Sequence, residues 1–191
     1  PETDYETQIR SRCPDNSTSA YSGIITFTTT AIPPCTGTQI TSYPYLETFD
    51  SGLGDWNDIG GDDGDWIIDA NGTPSGNTGP SDDITVGGNY LFLEASSNGS
   101  PGEIVANATA VLESPCFDLN GLTTATLSFY HHMFGVDAGT IAVELSIDNG
   151  GSWSNIFTIS GNQGDVWNSE SIDLATYLNQ NIKLRFIGTT G

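Results

Sequence analysis

The stretch Thr140-Ile-Ala-Val-Glu-Leu-Ser-Ile147 alternates apolar and polar side chains with a period of two. An extended strand sends successive side chains to opposite faces, so this pattern specifies a half-buried strand and argues against a helix. Comparable runs recur at Tyr5–Arg12, Gly23–Thr29, Tyr90–Glu94, Ala110–Glu113, Ala125–Phe134, Ile156–Ser160, Trp167–Ile172 and Ile182–Ile187. Turn-forming clusters such as Asn120-Gly, Asp148-Asn-Gly-Gly and Ser160-Gly-Asn-Gln-Gly separate many of them. Only Leu174-Ala-Thr-Tyr-Leu178 reads as helical, a single turn on a crossover. Many short strands without a long helix predict an all-β sandwich.

Charge narrows the functional classes. The 191 residues carry 24 acidic and 4 basic side chains, a net charge of -20. Phosphates would be repelled, so nucleic acid is excluded as a partner. No apolar run reaches the roughly 18 residues of a spanning helix, so membrane insertion is not expected. Many of the acids are Asp placed among Gly and Asn, a composition whose oxygens suit Ca²⁺. Three cysteines show no metal-binding spacing. Abundant Gly, Ser, Thr and Asn point to an extracellular protein, and a Cys35–Cys116 disulfide is predicted, with Cys13 pairing outside the chain or staying free. The opening Pro1-Glu-Thr-Asp is not a signal peptide, and the chain is expected to be part of a longer protein. Asn16, Asn71, Asn98 and Asn107 head N-x-[ST] triplets, which matter only in a eukaryotic secretory protein.

Ala31-Ile-Pro-Pro34 marks a boundary, because paired prolines favour an extended linker. The roughly thirty residues before it are too few to hold a core. They read as Tyr5-Glu-Thr-Gln-Ile-Arg-Ser-Arg-Cys and Ser22-Gly-Ile-Ile-Thr-Phe-Thr-Thr29, two strands joined by a polar loop. This pair resembles the last two strands of a fibronectin type III domain, which assigns 1–30 to the C-terminal part of such a domain and 31–34 to a linker.

Further pieces follow in order: Phe49-Asp-Ser-Gly-Leu-Gly-Asp-Trp56, Asp65-Trp66, Gly79-Pro-Ser-Asp-Asp-Ile-Thr85 and Tyr90-Leu-Phe-Leu-Glu-Ala-Ser. Next come Leu112-Glu-Ser-Pro-Cys-Phe-Asp-Leu119, Leu127-Ser-Phe-Tyr-His-His-Met-Phe-Gly135 and Gly161-Asn-Gln-Gly-Asp-Val-Trp167. Together they resemble a MAM domain of the kind found in secreted Bacteroidetes proteins. The resemblance implies that 35–191 is a jelly-roll β-sandwich of an extracellular protein, serving adhesion or oligomerisation, with a calcium or sodium ion in some members. The family usually continues with an Asp-rich strand that this chain lacks, so the sandwich is expected to miss its last strand.

The richest chemical signal is the acid-and-glycine region from Asp50 to Asp83. Asp62-Asp-Gly-Asp65 sets three carboxylates around one Gly, without the spacing of an EF-hand. The family resemblance implies that Asp50, Asp65 and Asp83 are ion ligands, with Asp63 a fourth; clustered carboxylates repel one another unless a cation neutralises them. Ca²⁺ is the expected ion and Na⁺ the alternative. Ser146-Ile-Asp-Asn-Gly-Gly-Ser-Trp153 fits the Asp-box pattern, but as a single copy it is expected to be a structural turn. His131 and His132 are adjacent, so strand alternation separates them and predicts one core-facing and one exposed ring. Glu94, Glu113, Glu144 and Glu170 lie in or beside strands with nothing to pair them as an acid and a base. The expected function is therefore a non-catalytic adhesion, interaction or spacer module, stabilised by Ca²⁺, at the surface of a bacterium. Its partners would be neighbouring modules of the parent chain or another protein. The alternatives are a carbohydrate-binding module, with Trp56, Trp66, Trp153 or Trp167 stacking on surface glycans, and an accessory domain of a secreted protease or glycosidase.

Overall fold

The computed structural model describes residues 3–29 and 35–191, so the Ala31–Pro34 segment expected to be a linker lies outside the described residues. The chain divides into two compact units, Pro1–Pro33 and Pro34–Gly191.

The first unit is a hairpin of β1 (Thr3–Thr7) and β2 (Ile25–Thr29), in antiparallel register with Tyr5 opposite Phe27. Those two rings stack with centroids 5.4 Å apart. The expected strand Tyr5–Arg12 stops at Thr7: beyond it the Ile9 and Ser11 carbonyls keep backbone donors, but serine hydroxyls take their N–H groups. Ser22 Oγ accepts the Ile9 N–H and Ser19 Oγ accepts the Ser11 N–H, each at 3.0 Å. A tight turn from Cys13 to Ser17 closes the far end. From Asp4 to Thr28 no residue of this unit is buried. A two-stranded ribbon without a second layer is marginal by itself.

The second unit contains β3 (Gln39–Ile40), β4 (Asn57–Asp58), β5 (Ile67–Asp69), β6 (Tyr90–Phe92), β7 (Thr109–Glu113), β8 (Cys116–Asp118) and β9 (Thr126–Met133). After these come β10 (Thr140–Ser146), β11 (Ser154–Ser160), β12 (Gly164–Asp173) and β13 (Asn181–Thr189), with one 3-10 turn at Ala175–Tyr177. The larger sheet runs β11-β10-β13-β7-β4; β8 also pairs with β13, and β3 runs parallel to β8. β7 and β8 occupy successive lengths of the same β13 edge. Pro115 breaks them apart, since it has no N–H to give. Ser114 bridges the gap: its N–H donates to the Leu184 carbonyl and its hydroxyl accepts the Leu184 N–H.

Alternation decides the two faces of this sheet. Leu112, Val143, Leu145, Ile182 and Leu184 are buried in the core. Glu113, Glu144, Lys183 and Arg185 occupy the alternate positions and pair as ions. Lys183 Nζ lies 3.5 Å from Glu113, and Arg185 Nε donates to Glu144 at 2.7 Å. The opposing layer consists of two ribbons, β9 with β12 and β5 with β6. Phe129 of β9 meets Phe186 of β13 edge-on at 5.0 Å and Phe157 of β11 at 5.4 Å. The chain is thus all-β, as its periodicity predicts, and the second unit is a jelly-roll sandwich, as the family resemblance implies.

Cys35 and Cys116 form a disulfide with Cα atoms 6.0 Å apart, while Cys13 is exposed and unpaired. In the chain-entropy model a closed loop this long stabilises the fold by several kcal/mol. Replacing Cys35 and Cys116 by Ser in a Cys13→Ser background is expected to lower the unfolding free energy by about 2–5 kcal/mol, read from urea denaturation. No change would mean the bond adds nothing to the stability of the sandwich.

Candidate functional site

The acidic region forms two kinds of contact. Asp50 and Asp83 meet beside Gly88, where any Cβ would overlap both carboxylates. Asp50 Oδ1 accepts the Asn89 N–H at 2.8 Å. That bond and the Thr48 hydroxyl hold its carboxyl below the usual range. Asp83 accepts the Thr85 hydroxyl. Asp82 ties its own loop, accepting N–H bonds from Asp83 and Gly87.

The other acids serve the edge of β7. Asp63 Oδ2 accepts both the Thr109 N–H, at 2.8 Å, and the Thr109 hydroxyl, at 3.0 Å. Asp62 Oδ2 accepts the Val111 N–H at 2.7 Å. These carboxylates do the work of a missing strand, satisfying backbone donors that the two-residue β4 is too short to reach. Asp58 accepts the Trp66 N–H at 2.6 Å, and its other oxygen is buried without a partner. Burial raises its pKa against the pull of that bond, and the nearby charges of Asp65 and Asp62 push the same way. The four expected ligands are therefore not gathered at one point: Asp50 and Asp83 converge, Asp63 engages Thr109, and Asp65 lies near Asp58. Among the described residues no group of three or more His, Cys, Asp or Glu side chains is disposed to hold a metal ion.

The Asp-box is a turn whose polar atoms are occupied. Asn149 and Gly150 take φ of 59° and 89°. Asp148 accepts the Ser146 hydroxyl at 2.7 Å, the Ser152 N–H at 2.8 Å and the Ser152 hydroxyl at 2.6 Å. The Ser152 hydroxyl, then that of Ser146, pull its pKa down to about 2. Trp153 carries the Arg185 guanidinium 4.5 Å from its ring centre.

Both histidines are buried, which corrects the expectation of one exposed ring: their side chains are 2% and 3% exposed. Alternation does send them to opposite faces, and the outer face is open at Ser128 and Tyr130, but over His132 it is covered locally by Trp167 and the loop holding Asp82. His131 faces Phe157 across the sandwich. His132 packs on Trp167, whose indole N–H donates to the Asp82 carbonyl of the acidic loop. His131 Nε2 lies 3.1 Å from Glu170 and His132 Nε2 lies 3.2 Å from Asp165. A carboxylate only accepts, so each Nε2 carries the proton. Burial lowers the His132 pKa, and Asp165 opposes this incompletely.

Glu94, only 3% exposed, has a role the strand pattern does not reveal. Its Oε1 accepts the Ser75 hydroxyl at 2.7 Å and the Ser96 N–H at 2.9 Å, knotting two loops together. Burial pushes its pKa up, but the donors around it outweigh that and bring it down. The tryptophans are likewise engaged: Trp56 is in the core, Trp66 donates to the Ala110 carbonyl, and Trp153 and Trp167 make the contacts given above.

The second unit contains a cavity of about 1580 Å³ bordered by β6 and β9. β6 pairs with β5 and β9 with β12, each in a two-stranded sheet, so both present an unpaired edge to it. Tyr90, His131 and His132 are among its lining residues, and Tyr90 OH, His131 Nδ1 and His132 Nδ1 are buried without hydrogen-bond partners.

The family model for the MAM domain, meprin/A5/mu, matches residues 48–191. Neuropilin-1a of Danio rerio is 32% identical over 105 residues, which cover 53% of this chain and 11% of that protein. MAM domain-containing glycosylphosphatidylinositol anchor protein 1 of Homo sapiens is 32% identical over 104 residues, covering 53% of this chain and 10% of its own length. The chain thus spans only a small part, 11% and 10%, of these relatives. The K1 cleaved adhesin domain of Lys-gingipain from Porphyromonas gingivalis superposes with a TM-score of 0.47 at 17% identity, over 75% of this chain and 94% of that domain.

Two titrations are expected. Asp148 is depressed in the folded state, so its contribution to stability is full above pH 3.8 and is lost as pH falls towards 2. Asp148→Asn should flatten the acid limb of the melting curve between those values; a limb of unchanged slope would remove Asp148 from it. His132 is also depressed, but as a base: the unfolded chain binds its proton more readily, so stability falls as pH drops below 6.5. His132→Gln should lessen the drop in melting temperature between pH 7.5 and 5.5, and an equal drop in the variant would contradict the assignment.

Proposed function

The chain belongs to the MAM domain family, whose model matches its residues 48–191, and from that premise we propose that it is a non-catalytic extracellular module for adhesion or interaction within a larger secreted or cell-surface protein. The observation that carries this reading is what the polar groups are bonded to. Glu94, Glu113, Glu144, Asp148 and Glu170 hold partners within the fold, and His131 and His132 are each tied to a carboxylate through Nε2. Groups so engaged build structure, whereas a catalytic acid or base must be within reach of a substrate proton. No helix among the described residues is long and apolar enough to cross a membrane.

The partner in this reading is an extended polypeptide segment, from a neighbouring module of the parent chain or from another protein. It would lie as a strand between β6 and β9. The two unpaired edges, the apolar cavity between them and the unsatisfied Tyr90 and His132 atoms support it. Free edges are templates for strand addition. The hairpin of residues 1–30 is read as the close of a fibronectin type III domain, joined by 31–34 to the sandwich at 35–191. Its Tyr5–Phe27 stack and the exposed Ile25 beside it support a covering neighbour. The parent is read as a Bacteroidetes protein on the order of the motifs. Glycan stacking has little support, since all four tryptophans are engaged.

Calcium would act at Asp50 and Asp83. Two carboxylates converging beside Gly88 offer hard oxygen donors and repel each other when alone, which suits Ca²⁺, with Na⁺ as the alternative. Asp63 and Asp65 would act on the ion only through the surrounding field. Adding Ca²⁺ after EDTA treatment should raise the melting temperature, and Asp50→Asn with Asp83→Asn should abolish the rise. An unchanged midpoint in the parent sequence would remove the ion. For the partner strand, hydrogen exchange should be rapid at the free-edge amides of β6 and β9 in this chain and slow in the longer parent. Equal rates in both would end that part of the proposal.

A further inference from the structure

Basic side chains are scarce enough to be followed one by one: Arg10, Arg12, Lys183 and Arg185. They fall into two pairs with opposite surroundings. Lys183 and Arg185 lie in the middle of β13, whose backbone is bonded to β10 on one side and to β7 and β8 on the other. Both are ion-paired, Lys183 with Glu113 and Arg185 with Glu144, and Arg185 is capped by Trp153. Arg10 and Arg12 lie beyond the end of β1, in the ribbon that has no buried residue. Arg10 rests on the Tyr21 ring at 4.8 Å, and Arg12 donates to Asn16 Oδ1 at 2.9 Å. Neither has a carboxylate partner among the described residues.

An endopeptidase that requires a basic residue before the cut must draw several residues of extended backbone into its cleft. Around Arg10 and Arg12 this means releasing a few exposed bonds: Ser11 with Ser19, Ile9 with Ser22, and the Cys13–Ser17 turn. Opening a coreless ribbon requires only local unfolding, whereas freeing β13 requires dismantling the sandwich.

We propose that the Arg10–Cys13 segment is a processing site for an arginine-specific endopeptidase, which detaches β1 and leaves the sandwich whole. The reaction is hydrolysis of the Arg10–Ser11 or the Arg12–Cys13 peptide bond. The carbon–nitrogen bond breaks, water gives its hydroxyl to the arginine carbonyl carbon, and a proton goes to the new amino group of Ser11 or Cys13. This goes beyond the adhesion reading and does not depend on it. The other basic residues, Lys183 and Arg185, lie on backbone paired along both edges of β13, so the same charge census that makes the module acidic also confines cleavage to one segment.

The test is limited digestion of the oxidised 191-residue chain with trypsin under native conditions, followed by intact mass. The expected product begins at Ser11 or Cys13 and ends at Gly191, formed at least ~100-fold faster than any cut after Lys183 or Arg185. Arg10→Gln with Arg12→Gln should abolish it without moving the melting temperature, since both residues are exposed. Cleavage first at Lys183 or Arg185, or resistance at all four sites in the native chain, would overturn the proposal. Survival of the same product in the double variant would do so too.

Discussion

Strand β13 is hydrogen-bonded along both edges, and the sandwich is organised around that fact. One edge takes β10, which carries β11 outward; the other takes β7 and β8 in succession. Its inward residues Ile182, Leu184 and Phe186 meet the opposing ribbons. Its outward Lys183 and Arg185 collect the two ion pairs of the sheet. Ser114 supplies the hinge that lets one edge serve two strands, and it does so from a fully buried position. Its hydroxyl accepts the Leu184 N–H and donates to the Pro115 carbonyl, and is costly to lose because those backbone groups would then be orphaned.

The second organising constraint is the shortage of cations. With only two basic residues in the sandwich, most carboxylates must be stabilised by N–H and O–H donors instead. Asp62 and Asp63 take up the free edge of β7, Asp148 holds its own turn, and Glu94 joins two loops. Such bonds favour the ionised form. The acidity of the chain is thereby used to finish the backbone, and it is less of a field directed at a partner than the bare charge suggests.

Strands that alternate over five or more residues were legible in the sequence, as were the Asp148 turn and the Leu174–Leu178 helical turn. β3, β4, β5 and β8 were not, since two or three residues show no period, and β6 was legible only because its apolar run continues past Phe92. β12 starts earlier than its apolar run because Gly164 opposite Met133 is paired before a bulge interrupts the ladder. The meeting of Asp50 with Asp83 at Gly88 joins segments far apart in the chain, and only the resemblance hinted at it. The service of Asp62 and Asp63 to β7 left no local trace, because it answers a backbone need set by the brevity of β4. The expectation of one exposed ring in the His131–His132 pair fails for a similar reason: alternation fixes which way a ring points but says nothing about a loop, here the one holding Asp82, that comes to cover it.

The Cys35–Cys116 bond has a mechanical meaning. Cys35 opens the described part of the sandwich, and Cys116 lies in β8, directly beside β13. Tension entering from the N-terminal side passes through sulfur to the middle of the main sheet. The intervening stretch, spanning a separation of 81 residues and including the acidic loops and β3 to β7, is bypassed and bears none of it. A pull strong enough to strip a surface strand would therefore reach the most densely bonded part of the molecule first, and the loops that hold Asp50, Asp83 and Glu94 would keep their shape under load.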